Sequence, residues 1–332
     1  MTPQPRTAPL ATSGARPDAT GVHDPGHLLD LRAVLGPLRR GGGDPAYAVE
    51  PAVGGGLPAV WRASLLPSGV ASLRLAAEHL ASGTVVTAQA WGPGAEEAVA
   101  RVPDLLGASD ASAGFAPSHP VLAESVRRHR GWRVPRTGCV VEALVPAVLE
   151  QKVTSTEARR AWRDLVRAYG VPAPGPTPVP MWAPPAARDW CRVPSWTWHQ
   201  AGVDDKRAAT IVRSCAVAPA LERTLALPAD EAAAVLCSLP GIGPWTAAEV
   251  LQRAHGSADH VSVGDLHLPG LVGWALAAEP WADDARMLEL LEPYRGARYR
   301  AVRMVELALG GGLVPPRPRR APRYAVRDFR RI

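Results

Sequence analysis

With 332 residues and 35.1 kDa, the chain is long enough to bury more than one hydrophobic core without disulfide or metal staples. Its 47% hydrophobic and 20% charged residues exclude a wholly disordered protein, and no apolar run approaches the roughly 18 residues of a membrane-spanning helix. The net charge of +6 suits a polyanionic partner, but Arg317, Arg319, Arg320, Arg323, Arg327, Arg330 and Arg331 against Asp328 account for the whole surplus, so the rest of the chain is close to neutral.

Residues 1–24, rich in Pro, Thr, Gly and Ala, offer little apolar surface to offset the entropy of ordering and are expected to form a flexible leader. Residues 25–118 read as a small antiparallel sheet plus helix domain. Ala46–Val49, Ala59–Leu66 and Thr84–Ala90 have strand character between glycine clusters, and Ala95–Leu106 reads as one helix. Residues 119–312 turn to helical periods, at Cys139–Lys152, Ser155–Tyr169, Thr197–Ala201, Asp204–Ala218, Asp230–Leu236, Trp245–His255, Asp265–Ala277, Asp283–Leu290 and Arg298–Leu309. Ser155, Asp204 and Asp230 are candidate N-caps, and the proline-rich stretch Val171–Pro185 must be a non-helical connector. Residues 313–332 form a basic Arg-rich tail. The expected fold class is therefore mainly α with an N-terminal α+β domain.

Cys139, Cys191, Cys215 and Cys237 lie far apart with no CxxC pair, which suits reduced thiols and a cytoplasmic location rather than a disulfide framework or a metal cluster. The informative string is Leu239-Pro240-Gly241-Ile242-Gly243-Pro244-Trp245-Thr246-Ala247. It sits between two helical periods, its glycines permit a tight turn, and Pro244 suits a first helical turn. A glycine-cornered hairpin between helices lets backbone amides approach a phosphate closely. Downstream, Val261-Ser262-Val263-Gly264-Asp265-Leu266-His267 places Asp265 at a loop-to-helix junction, where the residue alone reads equally as an N-cap. The intervening helix and return loop are long enough to bring Asp265 back beside the hairpin.

Together these strings resemble the helix-hairpin-helix DNA glycosylase superfamily, which joins such a hairpin to a Gly/Pro-rich loop and an aspartate, and within it the 3-methyladenine DNA glycosylase II branch. The resemblance covers about residues 120–310. It implies a helix-hairpin-helix DNA glycosylase fold and hydrolysis of the N-glycosidic bond of alkylated bases in duplex DNA, leaving an abasic site. Asp265 would be the catalytic carboxylate, stabilising positive charge that develops on the sugar. Bifunctional members carry a lysine where this chain has Trp245, so the resemblance implies a monofunctional enzyme without lyase activity. Trp245 would stack on the cationic base or simply pack in the core. Glu249, one turn on, departs from the aromatic residue usual there; it either lines the base pocket or is a solvated helix residue.

The segment ending in Gln151 and Lys152 resembles the pair that fills the gap left by a flipped nucleotide, with a plain surface pair as the alternative. Gly241, Gly243 and Thr246 are the expected DNA contacts at the hairpin. By position, the carbonyls of Cys237, Leu239 and Ile242 would hold a structural Na+ or K+. No cofactor is otherwise required, and an iron-sulfur cluster is excluded because no cysteine follows Cys237. Lys206 and Arg207 face inward, toward DNA or into solvent, while Tyr294 and Arg295 either pack and pair structurally or touch the lesion. The expected partner is duplex DNA containing a damaged base, bound by a monomer with no membrane association. Two alternatives stand beside this reading: a glycosylase for uracil, deaminated or oxidised bases on the same fold, and a non-catalytic DNA-binding protein.

Overall fold

Buried apolar side chains form two principal clusters, and the chain passes from one to the other and back. The computed structural model describes residues 15–318 except 53–55, 82 and 112–113. A five-stranded antiparallel sheet occupies the N-terminal part, with β1 (Ala19–His23), β2 (Tyr47–Glu50), β3 (Ala59–Leu66), β4 (Gly69–Leu80) and β5 (Gly83–Trp91) in the order β1-β5-β4-β3-β2. Short helices α1 (Leu31–Leu35), α2 (Ala95–Ala100) and α3 (Val102–Leu105) accompany it. The helical part contains α4 (Pro120–Arg128), α5 (Val140–Leu149), α6 (Ser155–Tyr169), α7 (Ala187–Trp190), α8 (Ser195–Gln200), α9 (Asp205–Ala216) and α10 (Ala218–Glu222). It continues through α11 (Ala229–Cys237), α12 (Pro244–Val250), α13 (Leu268–Ala277), α14 (Asp284–Leu291) and α15 (Arg298–Gly310). The fold is mainly α with an N-terminal mixed α/β region, as expected.

The first cluster joins sheet residues such as Val60, Leu75 and Val86 to Val272, Met287, Val302 and Val305 of α13–α15. The second gathers α5, α6, α9, α11 and α12 around Leu144, Trp162, Ile211, Leu236 and Val250. The last helices thus complete the core of the sheet lobe, whereas residues 140–254 make the other lobe. In α5 eight of the ten residues are buried, the pattern of a helix enclosed on all sides. Its neighbour α6 is amphipathic, burying Ala158, Ala161, Trp162, Leu165 and Val166 on one stripe. A reciprocal capping box between Thr154 and Glu157 starts α6.

Several expectations are corrected. Residues 19–23, assigned to the leader, form edge strand β1, paired with β5 from Ala19↔Ala90 to His23↔Val86; backbone pairing compensates for a sequence with little apolar content. Residues 1–14 and the tail beyond 318 lie outside the described residues. Strand β4, not anticipated, is the longest, and it is fixed by pairing on both sides rather than by its Ala, Ser and Arg content. The helix expected over Ala95–Leu106 divides at Arg101, because Pro103 in the first turn of α3 has no amide to continue the ladder. Thr154, not Ser155, caps α6. Asp204 does cap α9, but Asp230 lies within α11, whose cap position is Pro228. The helix expected over Trp245–His255 is α12 followed by a π-helical turn at Leu251–His255, closed by Gly256 at φ 70°.

Candidate active site

The helix-hairpin-helix runs from α11 through Ser238–Gly243 into α12. Ile242 is buried and its amide donates to the Leu239 carbonyl at 3.0 Å, which closes the turn. Gly241 adopts φ 94°, and a Cβ there would lie 2.3 Å from Thr210 Oγ1, so both conformation and space require glycine. Gln151 ties α5 to this turn: its amide nitrogen donates to the Gly241 carbonyl at 3.0 Å and to Thr246 Oγ1 at 2.9 Å. Thr246, expected at the DNA interface, is only 2% exposed. Its hydroxyl faces Gln151, and the assignment to DNA is corrected to a buried support for the hairpin. Gly241 is exposed and Gly243 half-buried, which leaves the hairpin backbone accessible.

Lys152 follows Gln151, exposed and at φ 55°. Behind it Arg207 is 4% exposed and turned inward, donating to Asp204 Oδ2 at 2.6 Å, the Leu149 carbonyl at 2.8 Å and the Gly202 carbonyl at 3.0 Å. Burial alone would raise the pKa of Asp204, but the hydrogen bonds from Arg207 hold it below the usual carboxylate value. Arg207 therefore braces the end of α5, and so the segment that presents Gln151 and Lys152. Tyr294 packs edge-on against Phe115 and Arg295 pairs with Glu292, the structural alternative of the two.

Asp265 precedes α13, which starts at Leu268 rather than at Asp265, with His267 in the cap position. Oδ1 accepts the amides of His267 at 2.7 Å and Leu268 at 2.9 Å. Oδ2 accepts the Trp245 indole N–H at 3.1 Å. This bond spans the two lobes, since the hairpin and α12 pack in one core while Val261 and Leu268 belong to the other. The carboxylate is half-buried and beside the hairpin, as the spacing required.

Glu249, one turn after Trp245, is buried rather than solvated, which corrects that alternative. Its Oε1 accepts the Ser262 hydroxyl at 2.6 Å and its Oε2 pairs with Arg253 Nη1 at 2.8 Å. Burial alone would lower the pKa of Arg253, but Glu249 and further anionic neighbours raise it above its ordinary value. The whole carboxylate is thus committed to internal partners. Ser262, Gln252 and Arg253 were not singled out from the sequence; the available signal for Ser262 was a lone hydroxyl between two valines.

The carbonyls of Cys237, Leu239 and Ile242 belong to the hairpin and the end of α11. Leu239 already receives the Ile242 amide, and a carbonyl has a second lone pair to offer. A neutral, all-oxygen donor set suits a hard monovalent cation in kind. Among the described residues no group of His, Cys, Asp and Glu could hold a metal ion, and no helix is long and apolar enough to cross a membrane.

No family model matches the chain. In sequence it is 33% identical over 153 residues to a probable bifunctional transcriptional activator/DNA repair enzyme AlkA of Mycobacterium tuberculosis, a match covering 45% of this chain and 30% of that protein. The chain therefore spans less than a third of the length of that relative. In structure it is similar to a 3-methyladenine DNA glycosylase from Archaeoglobus fulgidus, with a TM-score of 0.69 and 19% identity over 87% of this chain and 98% of the other. It is also similar to an 8-oxoguanine glycosylase/lyase from Clostridium acetobutylicum, with a TM-score of 0.65 and 12% identity over 90% of this chain and all of the other. At these identities the structural likeness establishes the shared fold.

Proposed function

We propose that the chain is a helix-hairpin-helix DNA glycosylase, similar to the 3-methyladenine DNA glycosylase II-like branch, and that it hydrolyses the N-glycosidic bond of alkylated bases in duplex DNA. The observation that carries this reading is the Asp265 carboxylate, held beside the hairpin by the Trp245 indole and the first amides of α13. A binding module gains nothing from a fixed anion next to phosphate, which it would repel. A glycosylase uses it. As the base departs, positive charge develops on the sugar, and a carboxylate fixed beforehand stabilises that charge without reorganising. An alkylated purine is already cationic and leaves without a strong acid, so water oriented by Asp265 completes the reaction and an abasic site remains.

The exposed Lys152 side chain would fill the gap left by the extruded nucleotide, its apolar stem among the bases and its ammonium toward phosphate. Gln151 holds this segment to the hairpin. The exposed backbone at Gly241 and Gly243 would meet the phosphates of the lesion strand, and a sodium or potassium ion on the carbonyls of Cys237, Leu239 and Ile242 would add positive charge there. Trp245 in place of a lysine removes the amine nucleophile of strand-cleaving relatives. The chain has only two lysines, Lys152 and Lys206, which makes a monofunctional reaction directly testable.

Single-turnover release of free bases from methylated duplex DNA provides the test. Wild type is expected to release 3-methyladenine, with strands breaking only after alkali and with no covalent complex trapped by borohydride. Asp265→Asn is expected to lose about 10²–10³-fold in rate while still binding the duplex. No release, despite salt-sensitive binding, would overturn the substrate assignment and direct the assay to uracil, deaminated and oxidised bases. A borohydride-trapped adduct would overturn the monofunctional assignment.

A further inference from the structure

The carboxylate that follows Trp245 by one helical turn does not face a base pocket with free oxygens. It reaches the loop that carries Asp265. Ser262 is 4% exposed, and its hydroxyl donates to Glu249 Oε1 at 2.6 Å while accepting the Gln252 amide nitrogen at 3.0 Å. The same Gln252 nitrogen donates to the His260 carbonyl at 2.9 Å. The Ser262 main-chain carbonyl in turn receives the amide of Asp265 at 3.2 Å. One helix therefore grips Asp265 at two points. Trp245 holds its side chain directly, and Glu249 holds its backbone through Ser262. Further ties come from elsewhere: Asp284 accepts the Gly264 amide at 3.0 Å, Asp259 pairs with Arg298 of α15, and Arg317 donates to the His267 carbonyl at 3.2 Å.

We infer that Glu249 is a positioning residue, acting through the Ser262 hydroxyl to set the backbone of the Asp265 loop against the helix that carries Trp245. The inference rests on the proposed catalytic use of Asp265, although the geometry it describes does not. Arg253 pairs with Glu249 Oε2 at 2.8 Å, and its Nε also donates to the Pro37 carbonyl at 3.1 Å. The grip is thereby anchored in the sheet lobe. A negative acceptor makes the Ser262 hydrogen bond stronger than a neutral pair would. Small displacements matter at such a site, because a carboxylate misplaced by about 1 Å can cost about 10²-fold in rate.

Glu249→Gln and Ser262→Ala, singly and together, test the assignment by two readouts. In single-turnover excision from methylated duplex DNA, each single variant is expected to lose about tenfold in rate, with DNA affinity within about twofold. The double variant should lose no more than the worse single one, since both changes break the same link. Additive losses, or a wild-type rate in Ser262→Ala, would overturn the inference. The second readout needs no activity. The Trp245 indole resonance in 15N-tryptophan-labelled protein, assigned with Trp245→Phe, reports the bond to Asp265. It is expected to move in both single variants toward its position in Asp265→Asn. An unmoved resonance in both would sink the inference even if excision fell. If the wild type excises no base, the function proposal fails while the resonance still decides this one. Ser262→Ala leaves the Glu249–Arg253 pair intact, so the test survives if Glu249→Gln fails to fold.

Discussion

Lys152 shows how a single residue can carry a cost that packing does not explain. Among the described residues only Lys152 and Ala278 are non-glycine residues at positive φ, a conformation that costs about 1–2 kcal/mol for a residue with a Cβ. Ala278 ends α13, which is an ordinary place for it. Lys152 has no such role; it stands exposed between the Gln151 brace and the capping box of α6. Strain of this kind, held by well-tied neighbours, fits a side chain aimed at a ligand. Lys152→Gly is therefore expected to hold or raise unfolding stability, by up to about 1 kcal/mol, while lowering single-turnover excision. Urea unfolding beside the excision assay checks both signs, and a clear loss of stability would show instead that tertiary interactions hold the lysine in place. The string ending in Gln151-Lys152 could be recognised from the sequence, but the left-handed backbone could not, because lysine carries no signal for it.

Within the hairpin, two glycines with the same letter have different duties. Gly241 has no room for a Cβ beside Thr210, whereas a Cβ on Gly243 would meet nothing within 4 Å, and its φ of −104° suits any residue. Gly241→Ala is expected to destabilise the protein by about 2 kcal/mol. Gly243→Ala is expected to change stability by less than about 0.5 kcal/mol yet weaken DNA binding, because its methyl would stand at the proposed contact between hairpin backbone and phosphate. Denaturation midpoints and DNA titrations of the pair separate the two effects, and equal stability losses would refute the distinction. The hairpin and α12 were legible because glycine, proline and helical periodicity act locally. The π-turn after α12 and the division between α2 and α3 were less so, since each depends on how a helix end meets its neighbours.

Across the molecule, the two lobes meet where the chain returns from one core to the other, and the loop carrying Asp265 is that return. The C-terminal segment runs close by. Trp274 Nε1 donates to the Pro315 carbonyl at 2.8 Å, and Arg317 donates to the His267 carbonyl at 3.2 Å and lies over Trp281. The chain beyond Pro318, with six arginines and one aspartate, therefore starts two residues from an arginine docked on the Asp265 loop. Truncation after Pro318 is expected to flatten the dependence of log Kd on log salt, by about 0.9 for each phosphate that the tail neutralises, and to leave the excision rate at saturating enzyme unchanged. Titrations at several salt concentrations measure the slope, and an unaltered slope would remove the tail from the DNA interface.

The α and β regions, the hairpin and the aspartate that must return to it could be read from the order of residues alone, because they depend on local propensity, glycine conformation and chain length. Other outcomes needed three dimensions: residues 19–23 join the sheet, β4 is its longest strand, Thr246 and Arg207 face inward, and Glu249 is committed to Ser262 and Arg253. Each of these is set by a partner brought close by folding, in most cases one distant along the chain. A buried carboxylate and a solvated one are the same letter until burial removes water and a specific donor must replace it.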